Sequence, residues 1–294
     1  MSRFIKIFFI VLSLQLILSA KALSQQEVDK KITEAVKHAI RVGKNFKLKD
    51  VKIKAKKKLK QPKGWSAYFL DIFLEVKKDH NKTELIQAVD TVFSDGTYLA
   101  KDLLNLKTGR SIKREVALDL TPKYYRKDHL IAGNFNAKNK LVVFSDPQCP
   151  FCQDFVPELI KFVQEHPKDF ALFYYHFPLD VIHPASPTLI RVMLAAQKKL
   201  KMDEGDFLIK VYEHYFDIPT TNEDKIIETF NKAFKTNITK ADIHTPDIEK
   251  RVKEDYKMAE NLAISGTPAF YINGKKDPTR SKHLKMVKDN KSKK

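Results

Sequence analysis

The chain contains 294 residues, a length that predicts two domains or one large domain. Hydrophobic residues make up 43% and charged residues 31%, a composition that excludes a disordered or fibrous chain. The 54 Lys and Arg outnumber the 36 Asp and Glu, so the net charge is +18. Because only two cysteines are present, a disulfide-dense scaffold and a metal site of three or four thiolates are excluded.

The amino terminus has the pattern of a secretory signal peptide. Arg3 and Lys6 precede an apolar run of about a dozen residues, and Ala20-Lys21-Ala22 forms a small-x-small cleavage site. We therefore expect residues 1–22 to be removed and the mature protein to be exported to the periplasm, where disulfides can form. An uncleaved membrane anchor is the alternative.

The next residues predict a small α+β domain over 23–120. Ser24 is placed to cap a helix over 25–42, which Gly43 ends. Period-two alternation over 51–56 predicts a strand, and further strands are expected over 65–76, 85–93 and 97–104. One helix covers only one face of such a sheet, so we expect a homodimer to cover the other face.

Positive charge is concentrated in this part of the chain. Residues 1–137 hold 28 Lys and Arg against 14 Asp and Glu, and residues 138–294 hold 26 against 22. Nine of the lysines lie between Lys47 and Lys63. We interpret them as a solvated face; an anionic partner or membrane surface is an alternative, and nucleic-acid binding is not expected of an exported protein.

Asn81 lies in an N-x-T glycosylation pattern, a match that often arises by chance.

The second half predicts an α/β domain over 138–294, joined to the first domain by a polar linker over 121–137. Short apolar strands are expected over 140–146, 170–176 and 268–272, and a helix over 149–166. The stretch from about 184 to 264 has a helical pattern, with breaks expected near 205, 219 and 245. Strand, helix, strand, helices, strand is an α/β order.

The two cysteines form the segment Cys149-Pro150-Phe151-Cys152, which follows a predicted strand and opens a predicted helix. Residues three apart on a helix share a face, with Cβ atoms about 5–6 Å apart, so the pair can form a disulfide with little backbone movement. Unpaired N–H groups at a helix start favour a thiolate. We therefore expect Cys149 to be the exposed nucleophile and Cys152 the resolving thiol.

Two other interpretations of the cysteine pair stay open. A structural disulfide is one, although closing so short a loop gains little. Half of a zinc site is the other, but the nine histidines contain no H-x3-5-H pair to complete it. Asp146, three residues before Cys149, is either a proton relay to Cys152 or an acid that binds loop amides, and we favour the second interpretation. His183 is interpreted as a capping or packing residue.

The segment from Phe144 to Cys152 resembles the active-site segment of bacterial periplasmic disulfide interchange proteins of the DsbC, DsbG and DsbA type, in the thioredoxin superfamily. Ser265-Gly266-Thr267-Pro268 and the residues to Gly274 are similar to the cis-proline strand of that family. The resemblance implies a thioredoxin-like fold with a helical insertion over about 184–264. The preceding α+β domain resembles the dimerisation module of DsbC and DsbG.

The resemblance also implies roles for single residues. The Thr267–Pro268 bond is expected to be cis, to face the cysteines and to bind the substrate strand. Pro150, Phe151 and Asp146 are candidate modulators of the catalytic Cys149 and Cys152. Phe151 stands where typical DsbA oxidases carry a histidine, which favours an isomerase or reductase. A DsbA-like oxidase that introduces disulfides is the alternative.

The expected partners follow from the same resemblance. The substrates would be cysteine-containing exported proteins, a membrane redox partner would reset the cysteine pair, and the protein would be a homodimer. No metal and no organic cofactor is implied.

Overall fold

The computed structural model describes residues 23–41, 43, 46–79 and 82–291. The predicted signal peptide and Asn81 therefore lie outside the described residues.

The first part of the chain is one helix packed on an antiparallel sheet. Ser24 starts the helix with a capping box, in which its hydroxyl accepts from the amide of Glu27 and the Glu27 carboxylate accepts from the amide of Ser24. Strands β1 to β4 pair in sequential order, and β5 and β6 form a separate two-stranded sheet. The elements are α1 (Gln25–Ala39), β1 (Phe46–Lys58), β2 (Ser66–Asp79), β3 (Lys82–Ser94), β4 (Leu99–Ala100), β5 (Leu104–Asn105), β6 (Arg110–Ser111) and α2 (Ile112–Glu115).

The chain covers both faces of this sheet near the β1–β2 turn. Ile32 and Val36 of α1 pack against one face. On the other face, Phe69 and Phe93 are buried against apolar side chains of later segments. These side chains are Leu103, Ile112, Val116, Leu118 and Ala263. At this end of the sheet, a second protein copy is therefore not needed to cover the second face.

The fourth strand, which was predicted over 97–104, is not continuous in the structure. Strand pairing is confined there to Leu99–Ala100 and Leu104–Asn105. Between them, the Asp102 carboxylate accepts hydrogen bonds from the amides of Leu103 and Lys113 and from the hydroxyl of Ser111. These bonds turn the chain back, so a continuous strand cannot form.

The second part of the chain is a five-stranded sheet with helices on both faces. The strand order is β11-β10-β8-β9-β7, in which β8 and β9 are parallel and the other neighbours are antiparallel. The elements are β7 (Leu130–Gly133), β8 (Asn139–Ser145), α3 (Pro150–Glu165), β9 (Phe170–His176), α4 (Ser186–Leu200), α5 (Glu204–Glu213), α6 (Glu223–Phe234), α7 (Lys240–Ile243), α8 (Pro246–Asn261), β10 (Ala269–Ile272), β11 (Lys275–Lys276) and α9 (Lys282–Lys291).

The predicted linker over 121–137 is wrong. Tyr124 is buried, and its hydroxyl donates to the carbonyl oxygen of Met258. Strand β7 pairs with β9 and so belongs to the second sheet. The polar composition of these residues concealed a short strand whose partner comes much later in the chain.

The helical region over 184–264 contains α4 to α8, as expected. The break expected near Gly205 is confirmed, since α4 ends at Leu200 and α5 begins at Glu204, which makes Gly205 the second residue of α5. A Cβ atom there would lie 2.6 Å from the carbonyl oxygen of Ile131, so the glycine lets α5 pack closely on β7. The break at Thr245-Pro246 is confirmed, since Thr245 is the N-cap of α8. No described helix has the length and apolar character that crossing a bilayer requires.

Candidate active site

The two cysteines lie where β8 leads into α3. Strand β8 ends at Ser145, and Cys149 is the N-cap residue of α3. Pro150 occupies the first helical position, where the N–H that proline lacks would have no partner within the helix. The amide of Cys152 donates to the carbonyl oxygen of Cys149, which closes the first turn. The sequence analysis predicted this strand-to-helix junction at the correct residues.

Both thiols are free and shielded from solvent. Cys149 is 4% exposed and Cys152 is fully buried, so the expectation of an exposed Cys149 is wrong. The Sγ atom of Cys149 lies 3.5 Å from the carbonyl oxygen of Thr267, and this approach covers it. Phe151 projects outward and is 63% exposed. A substrate sulfur must therefore reach a nearly buried Cys149 sulfur beside Thr267.

The two thiols have opposite acidities. The pKa of Cys149 is lowered to about 6, chiefly because the Cys152 side chain hydrogen-bonds to it, with smaller help from Thr267 and the Cys152 amide. Burial and the charge of Asp146 oppose this shift. Burial raises the pKa of Cys152, and so does its interaction with Cys149. The pair therefore holds one thiolate, on Cys149, at neutral pH.

Thr267 and Pro268 stand directly before β10, which pairs with β8. The peptide bond between them is cis, as expected. Thr267 faces Cys149, so the structure brings together the cysteine pair and the two residues predicted to bind substrate.

Asp146 is fully buried and holds the loops behind the cysteines. Its carboxylate accepts hydrogen bonds from the amides of Gln148 and Leu179 and from the hydroxyl of Ser186. The Nδ1 atom of His183 lies 2.9 Å from the same carboxylate. Asp146 therefore binds loop amides, which was the favoured interpretation, and His183 hydrogen-bonds to the same carboxylate.

A cleft of about 740 Å³ opens beside Phe151, Thr267 and Pro268. Its second wall comes from the first part of the chain. The lining residues there are Phe69, Asp90 and Thr91 of the sheet and Lys113, Arg114, Val116 and Ala117 at and just after the end of α2. We call this space the interdomain cleft.

Arg280, which no sequence pattern marks, also lines the interdomain cleft. Its guanidinium carbon lies 5.9 Å from the centroid of the Phe151 ring and 5.7 Å from that of Phe155. This residue was missed because its position depends on how the loop after β11 folds. Among the described residues, no group of three His, Cys, Asp or Glu side chains is arranged to hold a metal ion.

The family model described as thioredoxin matches residues 126–289, more than half of the chain. The chain belongs to the thioredoxin family. This membership confirms the thioredoxin-like α/β fold of the second part and the resemblance to Dsb-type members of the superfamily. The structure shows the expected helix and antiparallel sheet before it.

Several curated relatives share part of the sequence. The chain is 26% identical over 215 residues to the Na(+)/H(+) antiporter NhaA 1 of Mycobacterium sp. strain KMS, covering 72% of this chain and 34% of the antiporter. It thus spans about a third of that relative's length. It is 27% identical to the probable disulfide bond formation protein D of Bacillus cereus, covering 48% of this chain and 68% of the relative. The crystal structure of oxidised BdbD from Bacillus subtilis is similar over 60% of this chain and 97% of that chain, at 18% identity and a TM-score of 0.46.

Proposed function

We propose that the protein is a thiol–disulfide oxidoreductase that isomerises or reduces disulfides in exported proteins. The observation that carries the proposal is the pairing of a thiolate-favouring Cys149 with a buried Cys152 one helical turn away. A structural disulfide does not require two thiols of opposite acidity, whereas disulfide exchange uses both.

The proposed reaction transfers two electrons from the protein to a substrate disulfide. The Cys149 thiolate attacks one substrate sulfur, forms a mixed disulfide and releases the other substrate sulfur as a thiolate. Cys152 then loses its proton and attacks the Cys149 sulfur. This step releases the second substrate thiolate and leaves a Cys149–Cys152 disulfide. In isomerisation, the first released substrate thiolate instead attacks a different substrate disulfide and displaces another substrate thiolate. That thiolate attacks the substrate sulfur of the mixed disulfide, which forms a new substrate disulfide and releases Cys149 as a thiolate.

Thr267 and Pro268 are proposed to hold the substrate strand during these steps. The Thr267 N–H makes no hydrogen bond within the described part of the chain, so it is free to pair with an extended substrate. Its carbonyl oxygen lies beside Cys149, which would place the substrate cysteine next to the nucleophile. Pro150, Phe151 and Asp146 are proposed to modulate the acidity of the thiols.

A dithiol oxidase is the second candidate. A lowered pKa of Cys149 stabilises the reduced pair and so makes the disulfide a better oxidant. The relative named a probable disulfide bond formation protein favours the same direction. Position 151 carries a phenylalanine rather than the histidine of typical DsbA oxidases, and this favours the isomerase or reductase.

The reduction potential of the Cys149–Cys152 pair separates the two candidates. Equilibration of the protein with glutathione mixtures, followed by thiol trapping, gives this potential. A value of about −180 mV or below, with reactivation of a scrambled disulfide protein, supports isomerisation or reduction. A value near about −120 mV without reactivation supports the oxidase.

The cellular setting is part of the proposal. The pattern over residues 1–22 supports export to the periplasm, where a membrane redox partner would restore the active form of the pair. We also propose a homodimer joined through residues 23–120.

A further inference from the structure

The interdomain cleft carries more positive than negative side chains beside the cysteine pair. Four cationic side chains line the cleft: Lys113, Arg114, Lys276 and Arg280. Two carboxylates line it, those of Asp90 and Asp277. Because a polypeptide bound at Thr267 must pass through this space, the charges will act on its side chains.

Both carboxylates already have partners. The Nζ atom of Lys113 lies 2.5 Å from Oδ1 of Asp90. Asp277 is 2% exposed and accepts hydrogen bonds from the amides of Thr279, Ser281 and Lys282. This network fixes the loop on which Arg280 stands, and it leaves neither carboxylate bound to Arg280.

Three of the cations lack a carboxylate partner among the described residues. Arg280 stacks over aromatic rings, including Phe151 between the two cysteines. The ammonium of Lys276 donates to the carbonyl oxygen of Arg114 at 3.2 Å, and burial lowers its pKa. Arg114 is exposed at the cleft wall formed by the first part of the chain. A carboxylate entering the cleft would find guanidinium groups free to bind it through two hydrogen bonds.

We propose that the interdomain cleft selects substrate segments that are extended and carry acidic side chains within a few residues of the reacting cysteine. Arg280 and Arg114 are the specificity-determining residues. This inference rests on the proposed function of the cysteine pair and adds the class of sequence it prefers.

The arrangement suits a polypeptide because Arg114 stands on the first part of the chain and Arg280 on the second, and both line the cleft. A single phosphate binds where several donors converge on one point, whereas an extended chain presents separate carboxylates to both walls. The free Thr267 N–H offers the main-chain contact that an extended segment uses. The first part of the chain thus takes part in substrate choice.

The test uses three peptide disulfides that differ only in the residues flanking the cysteine, which are Glu, Gln or Lys. The reduced mature protein is mixed with each peptide, and each rate is divided by the rate of Cys149 alkylation by neutral iodoacetamide. We expect the Glu peptide to react about two- to fivefold faster than the Gln peptide, and the Lys peptide to be slowest. The preference should shrink as salt is added.

Variants assign the preference to the two arginines. The double variant Arg114→Gln/Arg280→Gln should react equally with the Glu and Gln peptides. Arg41→Gln is the matched control, because Arg41 is exposed and lies outside the cleft lining, and it should keep the full preference.

The outcomes separate this inference from the proposed function. Equal rates for the three peptides would overturn the acidic preference while leaving disulfide exchange intact. A preference that survives the double variant would overturn the assignment to Arg114 and Arg280. No reaction with any peptide would overturn the proposed function itself.

Discussion

At the scale of single residues, the reactivity of the pair depends on which atoms surround each sulfur. Cys149 at the N-cap receives hydrogen bonds, and the largest contribution comes from the Cys152 side chain. Cys152 is fully buried, and burial opposes its ionisation. One sulfur therefore carries the negative charge while the other keeps its proton.

Replacing Cys152 tests this hydrogen bond. In Cys152→Ser, the hydroxyl still donates to Cys149, so we expect its alkylation rate to be half-maximal near pH 6, the lowered pKa. Because the thiolate is the reactive form, the rate is high above this pH and falls as the pH drops through it. In Cys152→Ala, the donor is absent, and the midpoint should move to higher pH. Equal midpoints in the two variants would show that the Cys152 side chain does not set the acidity.

Phe151 is expected to set the oxidising strength of the pair. In Phe151→His, a positive imidazole near Cys149 would stabilise the thiolate and so the reduced form, which raises the reduction potential. Phe151→Leu is the control, because it removes the ring without adding charge. Equilibration with glutathione mixtures measures the reduction potential of both variants. An unchanged or lower potential in Phe151→His would contradict this role.

The sequence was most informative where chemistry and structure are local. Cys149, Cys152 and the Thr267–Pro268 bond were located because each lies in a short, distinctive segment. The shielding of Cys149 was missed because Thr267, which covers it, is remote in sequence. Arg280 was missed for a similar reason.

At the scale of elements, β7 shows how a polar segment joins the second sheet. It is four residues long and pairs with β9. Its last residue, Gly133, has a φ of +79°. A Cβ atom there would lie 2.0 Å from the carbonyl oxygen of Phe170. Glycine is therefore required by both conformation and space.

We expect Gly133→Ala to destabilise the protein far more than Gly96→Ala. Both residues have positive φ, which costs alanine about 1–2 kcal/mol. A Cβ atom added at Gly96 would stand in open space, whereas one added at Gly133 would meet Phe170, which adds about 1–3 kcal/mol of overpacking. Denaturant unfolding measures the difference. Equal losses would indicate that residues near Gly133 are not packed on the sheet.

The elements predicted best are those with a strong local pattern. Strand β9 was predicted over its full range, because the six residues from Phe170 to Tyr175 form a continuous apolar run. The fourth strand of the first sheet was predicted too long, since Asp102 turns the chain through side-chain hydrogen bonds that periodicity does not reveal.

At the scale of the whole molecule, the first sheet contacts the catalytic part of the chain directly. The ammonium of Lys54 donates to the carbonyl oxygen of Glu260 in α8. Within the first part, the ammonium of Lys57 donates to the carbonyl oxygen of Ala117. Lys57 also pairs with Asp119. Part of the lysine-rich strand is therefore engaged within the chain. These contacts were not predictable from sequence, because they join segments that are far apart.

The homodimer stays a prediction, and the exposed end of the first sheet is where we expect it to form. Leu85 is 64% exposed and Phe46 is 43% exposed near the β2–β3 turn, away from the contacts with the second part. Sedimentation at micromolar concentration should show a dimer for the mature chain and a monomer for Leu85→Lys. Leu284→Lys, at a residue 49% exposed in α9, is the matched control and should stay dimeric. A monomeric mature chain would contradict the prediction.

The central claim is that Cys149 and Cys152 exchange disulfides with a polypeptide, and mass spectrometry of the mature protein tests it most directly. The reduced protein is mixed with a peptide disulfide, quenched in acid and digested. We predict a Cys149–Cys152 disulfide and an equal amount of reduced peptide, with a mixed disulfide trapped on Cys149 in the Cys152→Ser variant. Two thiols that stay free, or peptide reduction that persists in Cys149→Ser, would contradict it.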